Sequence, residues 1–293
     1  MKIAIAGANG NLGRRLIAAL GHDHQLLGLV RSPSAAEHLI SLPCQVAMVA
    51  YQDVEQLSNL IQGFDVLINL TGIIKATRTN PYVKAHEETA KALVLACQQA
   101  EVPRIIALGI CGTEAEHPNA CFRSRAACEA LQLEGLSDSV ILRVPMVLGE
   151  GDYASRALVK RANSRLAWTF RARSMEQPIY AGDVIEAIRQ LCFTKITGIV
   201  MLAGPESITR RALITRCAGF VDNHSVTVVS LPLALGLFVS FLLERFMSSP
   251  PVTPTMLGVL DHDDNFDVLL PETLDLTLTP LDTILERITK LPA

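Results

Sequence analysis

The sequence holds no C-x-x-C pair, and its seven cysteines, Cys44, Cys97, Cys111, Cys121, Cys128, Cys192 and Cys217, are irregularly spaced and odd in number. That pattern argues against a disulfide framework and against a zinc site, and it suits a reducing compartment. Charge is also scarce. Charged residues make up 19% of 293 positions, and 26 Lys plus Arg against 29 Asp plus Glu leave a formal net charge of −3. A surface built throughout to neutralise phosphate is thereby excluded, so no nucleic acid partner is expected. The first residues, Met1-Lys2-Ile3-Ala4, reach glycine by position 7, which leaves no room for a secretory apolar segment of about 7–15 residues. The expected location is cytoplasmic. Internal repeats and low-complexity tracts are absent as well. Apolar material is plentiful at 49%, enough for a buried core and too much for disorder, collagen or a coiled coil.

The first half alternates short apolar runs with amphipathic stretches. Residues 2–6, 25–30, 45–49, 65–70, 104–108 and 139–143 read as strands, with helices between them, including 11–20, 81–100 with Pro81 in its first turn, and about 121–135. Continuously apolar strands alternating with helices predict a doubly wound, Rossmann-type α/β fold around a parallel sheet. Past residue 150 the rhythm breaks. A strand near 177–181, a helix from Asp183, a strand at 198–202, and a helix, strand and helix at 209–218, 225–231 and 232–246 are expected. A last helix is expected to start with Thr279 as its cap and Pro280 at its first position, with Leu281, Ile284, Leu285, Ile288 and Leu291 as its apolar stripe. The predicted organisation is a nucleotide-binding domain over 1–150, with parts of 177–203 returning to it, and a smaller C-terminal α/β substrate or partner region over 151–293.

Gly7-Ala8-Asn9-Gly10-Asn11-Leu12-Gly13 follows the first strand directly and opens the first helix. The three glycines allow a tight turn, close approach of backbone to a diphosphate, and close packing of helix on strand. The helix start then offers unpaired N–H groups and a positive dipole end, so Gly7, Asn9, Gly10, Asn11, Leu12 and Gly13 are candidate binders of a nicotinamide dinucleotide. The second strand ends Leu29-Val30-Arg31-Ser32, and no acidic residue lies between Asp23 and Glu37. An acid there would hold a ribose 2′-hydroxyl, whereas Arg31, helped by Ser32, suits a 2′-phosphate. NADP(H) is therefore favoured over NAD(H).

With these residues in view, the chain resembles the short-chain dehydrogenase/reductase superfamily. It is most similar to the atypical NAD(P)-binding, epimerase-like branch related to the 39-kDa-type accessory subunit of respiratory complex I, and to NmrA-like proteins. The resemblance spans nearly the whole chain. Beyond the glycine turn it rests on Asn69-Leu70-Thr71-Gly72, on Val83-Lys84-Ala85-His86-Glu87, on Leu142-Arg143-Val144-Pro145 with Val147 and Gly149, and on the run from Gln177 to Val184. It implies that Leu70, Thr71 and Gly72 lie along the cofactor's ribose and phosphates, and that Pro145 lies near the nicotinamide. His86 stands where relatives carry Asn or His. It also falls on an apolar face with Val83, Ala90, Val94 and Cys97, which suits a core histidine bonded to backbone.

The chain departs from the family where the chemistry belongs. The superfamily places Tyr and Lys four apart on a helix, the Lys lowering the Tyr pKa so that the phenol can move a proton. Here the residues four after Tyr51, Tyr82, Tyr153 and Tyr180 are Glu55, His86, Ala157 and Val184. The Tyr position holds Cys121, the Lys position holds Arg125, and the expected Ser position holds Gly109. The acid expected after the third strand is absent, with Ala50 in its place. Arg125 can bind a ribose or an anion but cannot relay protons. Cys121, in the Tyr position, reads first as a small substitution after loss of catalysis; beside a cation at a helix start, a thiolate is the alternative reading. Catalytic residues therefore stay unassigned.

Between Asp152 and Glu176 there is no acid but six cations, Arg156, Lys160, Arg161, Arg165, Arg171 and Arg173. They suit a solvated basic face, with an anionic substrate, an acidic protein or lipid headgroups as alternatives. Residues 226–243 carry no charge over 18 positions, the lower limit for a span. With Pro232 inside, the stretch reads as a strand and then a buried or dimer-forming helix, ahead of peripheral membrane contact. The Asp261-His262-Asp263-Asp264 cluster reads as a solvated acidic loop rather than a metal site. The functional expectation is an NADP(H)-binding, reductase-like protein without the Tyr/Lys pair, acting as a redox sensor or an accessory or assembly protein. The alternative is an oxidoreductase acting on a small carbonyl or quinone-like substrate. A protein partner or a small-molecule substrate, and the oligomeric state, are left open.

Overall fold

The computed structural model describes residues 1–221, 225–247, 252–259, 261–266 and 274–290. The chain begins β1 (Lys2–Ala6), α1 (Asn11–Leu20), β2 (Gln25–Val30), α2 (Pro33–Glu37), β3 (Gln45–Met48), α3 (Val54–Ile61) and β4 (Val66–Asn69). A π-helical segment (Val83–Glu88) runs directly into α4 (Thr89–Gln99) and is followed by β5 (Arg104–Ile110), α5 (Ala120–Gly135) and β6 (Asp138–Val144). Next come β7 (Val147–Leu148), α6 (Tyr153–Ala162), β8 (Leu166–Phe170), β9 (Met175–Glu176), β10 (Ile179–Tyr180), α7 (Ala181–Leu191) and β11 (Gly198–Met201). The remainder is β12 (Ile208–Thr209), α8 (Arg210–Ala218), β13 (Thr227–Leu231), α9 (Leu233–Phe246), α10 (Pro254–Gly258) and α11 (Leu281–Thr289).

These elements group into two compact units. The first comprises Met1–Arg143 and Ile185–Val200 with a short later stretch ending at Asp275. It holds a seven-stranded sheet in the order β11-β6-β5-β4-β1-β2-β3. The ladders joining β3, β2, β1, β4 and β5 are parallel. In β1 and β4 nearly every residue is buried, without alternation, because helices cover both faces of the sheet. On one face Leu57 and Ile61 of α3 and Leu93 and Cys97 of α4 pack on Ala4, Leu27, Leu67 and Ile105. This is a Rossmann-type parallel α/β arrangement. The buried Arg104 guanidinium ties the returning segment to the sheet. It pairs with Asp138 and donates to the carbonyls of Leu191 and Ile196, each at 2.9 Å.

The second unit comprises Val144–Val184 and later segments. Among the described residues it contains three two-stranded pairings, β7 with β10, β8 with β13, and antiparallel β9 with β12. Its core joins α6, α8 and α11 through Leu158, Ala162, Leu213, Cys217, Ile284 and Leu285. A buried ion pair, Arg210 with Glu176 at 2.5 Å, anchors the start of α8, and Arg210 also donates to the Phe170 carbonyl at 2.6 Å.

Three local expectations are corrected. Helix α11 starts at Leu281 with Pro280 as its cap, because the Thr279 amide and hydroxyl both donate to the Asp183 carboxylate, at 2.8 and 2.7 Å. The Leu291 position lies outside the described residues. Residues 83–88 form a π turn rather than a regular α-helix, and the Thr89 hydroxyl donates to the Lys84 carbonyl at 3.0 Å across it. The acidic loop is solvated only in part: Asp261 and Asp263 are about half exposed, whereas Asp264 is buried. Asp263 accepts from the Ser174 hydroxyl at 2.7 Å and the Met175 amide at 2.9 Å, Arg171 pairs with Asp261 at 3.0 Å, and His262 pairs with the buried Asp264 at 2.6 Å. The Ser174 bond, with Arg171 nearby, holds the Asp263 carboxyl below its usual range. Among the described residues, no helix is long and apolar enough to cross a membrane.

Candidate functional site

The turn after β1 is shaped by the strand beside it. The Leu70 amide donates to the Ala6 carbonyl at 3.0 Å, which carries the end of β4 alongside the glycine loop. Gly7 has φ +78°, and a Cβ there would lie 3.0 Å from the Leu70 carbonyl, so both backbone shape and space call for glycine. The Gly10 amide donates to the Gly7 carbonyl at 3.1 Å and closes the turn. Gly10 then caps α1 in an extended conformation with no side-chain bond to the helix amides. A helix start left this way is an anion site in waiting. Gly13 serves packing instead: a Cβ would lie 2.6 Å from the Ala8 carbonyl oxygen.

Tyr51, which belongs to no motif in the sequence, completes this turn. The Tyr51 hydroxyl accepts from the Gly7 amide at 2.7 Å and donates to the Leu29 carbonyl at 2.8 Å. It thereby joins the glycine turn to the end of β2. The Arg31 guanidinium lies 6.0 Å from the centre of the Tyr51 ring. Burial pushes the Tyr51 phenol up, against the opposing influences of the Gly7 amide and Arg31, so it stays neutral. The only sequence signal was a tyrosine next to the position searched for an acid. Ser32, beside Arg31, caps α2 by accepting from the Ala35 amide at 3.2 Å.

Across the turn, Asn69 Oδ1 accepts from the Thr71 amide at 3.0 Å and from its hydroxyl at 2.6 Å, which fixes the bend after β4. Arg125 Nη1 donates to the carbonyls of Thr71 at 3.1 Å and Leu108 at 3.4 Å. Its guanidinium lies over Gly72, where a methyl group would collide with it. The His86 ring is buried, with Nε2 at 3.1 Å from both the amide and the carbonyl of Ile73. Burial, and then the charge of Arg125, lower its pKa to about 3, so the ring is neutral.

The thiolate reading of Cys121 is corrected. Its thiol is fully buried and donates to the Ile73 carbonyl at 3.6 Å. Burial raises its pKa and outweighs the lowering effect of Arg125. The position of Gly109 is also explained. A Cβ there would lie 2.5 Å from Glu129 Oε1, and Glu129 is paired with Arg143 at 2.6 Å. The room a serine side chain would need is held by a buried ion pair.

The resulting cavity, about 310 Å³, lies within the first unit. Of the residues singled out from sequence, Gly7, Asn9, Gly10, Arg31, Ser32, Leu70, Thr71 and Gly72 line it. Tyr51, Ala35, Ile73, Ala85 and Thr89 line it as well. The π turn sets Ala85 and Thr89 on one wall, a common use of such turns. Asn11, Leu12, Gly13, His86 and Arg125 are not among the residues that line it. Pro145 falls in the second unit, between β6 and β7. A glycine turn at the start of α1 on one side and Arg31 on another fits a nucleotide diphosphate, and among the described residues no carboxylate lines the cavity.

The profile of a family described as NAD(P)H-binding matches residues 7–170, more than half of the chain. The chain belongs to that NAD(P)H-binding family. Its place among atypical, epimerase-like short-chain dehydrogenase/reductase proteins is supported by its relatives. This NAD(P)H-binding chain is 26% identical over 264 residues to a ceramide reductase of Caulobacter vibrioides, covering 88% of the chain and 81% of that protein. It is 25% identical over 223 residues to the mitochondrial NADH dehydrogenase (ubiquinone) 1 alpha subcomplex subunit 9 of Arabidopsis thaliana, covering 71% of the chain and 55% of that protein. Among solved structures, a nucleoside-diphosphate-sugar epimerase of Staphylococcus aureus shares the fold with a TM-score of 0.74 at 17% identity, covering 98% of this chain and 100% of the other.

Proposed function

We propose that this chain binds NADP(H) in preference to NAD(H) and serves as a redox sensor or accessory protein rather than as an enzyme of the Tyr/Lys type. The cofactor preference rests on one observation: Arg31 and Ser32 line the same cavity as the glycine turn, and the described lining residues include no carboxylate to receive a ribose 2′-hydroxyl. When bound, the cofactor would supply hydride. Gly7, Gly10 and the start of α1 would hold the diphosphate, Thr71 and Gly72 the adjoining backbone, and Arg31 the 2′-phosphate. None of the residues at the family's reactive positions moves a proton near neutral pH: Arg125 stays charged, the Cys121 thiol is buried, and Gly109 carries no side chain. Calorimetry tests the first step. NADPH is expected to bind more tightly than NADH, and Arg31→Ala should cost about tenfold in NADPH affinity while leaving NADH affinity in place. Equal affinities for the two cofactors would refute the phosphate assignment.

The similarity to a protein named ceramide reductase along 88% of the chain favours a second reading, an NADPH-dependent oxidoreductase in which orientation supplies the rate. Absorbance at 340 nm across carbonyl, enone and quinone panels separates the two. Sustained turnover with any member would displace the sensor reading.

A further inference from the structure

Helix α9 is built inside out. Its buried residues are Gly236 and Ser240, while Leu235, Phe238, Val239, Phe241, Leu242 and Phe246 are exposed. Phe238 is 62% and Phe241 61% exposed. Gly236 is small for a reason: a Cβ there would lie 2.6 Å from the Phe170 ring and 3.2 Å from Leu257. The small side of the helix therefore seats against β8 and α10, and the large apolar side chains are turned outward.

The surface continues onto the β8–β13 pair. Leu166 and Trp168 alternate with the buried Ala167 and Thr169, so they share a sheet face with Phe170, on which α9 rests. Trp168 is 54% exposed, and its register partner on β13 is Val229. Exposed Arg165 and Arg173 bracket β8 in a stretch without acids from residue 153 to 175, and exposed Arg245 lies in the last turn of α9 beside Glu244. Apolar and aromatic side chains framed by arginines match a bilayer interface, with rings at headgroup depth and cations among anionic headgroups. A second copy of the chain would bring the same arginines to the contact again, whereas a layer of anionic headgroups supplies the opposite charge. At 14 residues α9 is about 21 Å long, too short to cross a hydrocarbon core of about 30 Å, so it would lie in the surface.

We propose that the face formed by α9 and β8 docks on the surface of an anionic phospholipid bilayer. The inference stands independently of the cofactor reading. Trp168 is the single tryptophan of the chain, so its emission reports on this face alone. The full chain mixed with vesicles of phosphatidylcholine and phosphatidylglycerol should sediment with them and shift its tryptophan emission to the blue. Vesicles of phosphatidylcholine alone, or added salt, should weaken both effects. The double variant Phe238→Glu with Phe241→Glu should lose about tenfold or more in binding. Both sites are exposed, so its circular dichroism and melting should match the parent protein. Equal binding to neutral and anionic vesicles would overturn the charge argument. Failure to sediment, with unmoved emission, would overturn the docking itself. If the same face instead drives a concentration-dependent dimer that the double variant abolishes, and vesicles leave the emission unmoved, the surface belongs to a second copy.

Discussion

His86 shows how one side chain sets a pH response. Its ring is neutral in the folded chain, with a pKa of about 3 against an ordinary 6.5, because it is buried and faces Arg125. Between those values the unfolded chain binds a proton that the folded chain refuses, so stability rises with pH and is lost as pH falls below 6.5. The contribution is about 1.4 kcal/mol per pH unit across that window. Denaturation midpoints measured from pH 7 down to pH 4 should fall less steeply for His86→Gln than for the parent protein; an unchanged slope would show that the ring is not held neutral. The place of Arg31 in the cavity wall is legible because the end of β2 is a local feature of sequence. Tyr51 is not, since its two hydrogen bonds reach residues 44 and 22 positions away, contacts that no periodicity reports. The sign of the Cys121 shift is hidden for the same kind of reason. A neighbouring cation is visible in sequence, whereas the burial that outweighs it is a property of the packed chain.

At the scale of elements, the contact of α1 with the loop before it depends on the missing side chain at Gly13. Gly13→Ala should gain the helix propensity of alanine, about 1 kcal/mol, but it places a methyl group 2.6 Å from a backbone oxygen. The backbone cannot swing aside as a flexible side chain can, so a net loss of about 1–3 kcal/mol is expected, read as a lower melting temperature. A higher melting temperature would mean that the loop has room to give. Strands β1, β2, β4 and β5 and their helices are legible because they are continuously apolar and punctuated by glycine, proline and capping residues. In the second unit β10 and β13 fall within the strands expected near 177–181 and 225–231, whereas β7, β9 and β12, of two residues each, leave no pattern to count. The start of α11 is misread because Thr279 looks like a cap, while the carboxylate it serves sits 96 positions earlier.

For the molecule as a whole, the first unit is discontinuous in sequence. Strand β11 forms the outer edge of its sheet, and two carbonyls from the returning segment accept from Arg104 Nη2. A fragment ending at residue 150 would keep the glycine turn but leave β6 as a bare edge and Arg104 without those acceptors. It should aggregate or melt well below the full chain, measured by size-exclusion chromatography and circular dichroism. A fragment as stable as the full chain would show the returning segment to be dispensable.

The position of β11 also matters while the protein is being made. Strand β6 leaves the ribosome some fifty residues ahead of the strand that shields it. At about 5–20 residues per second, the unfinished sheet edge stays open for on the order of several seconds. The nascent chain therefore passes through an interval of adhesiveness, in which a chaperone, or a slow stretch of translation placed before rather than after Gly198, would decide the yield of folded protein.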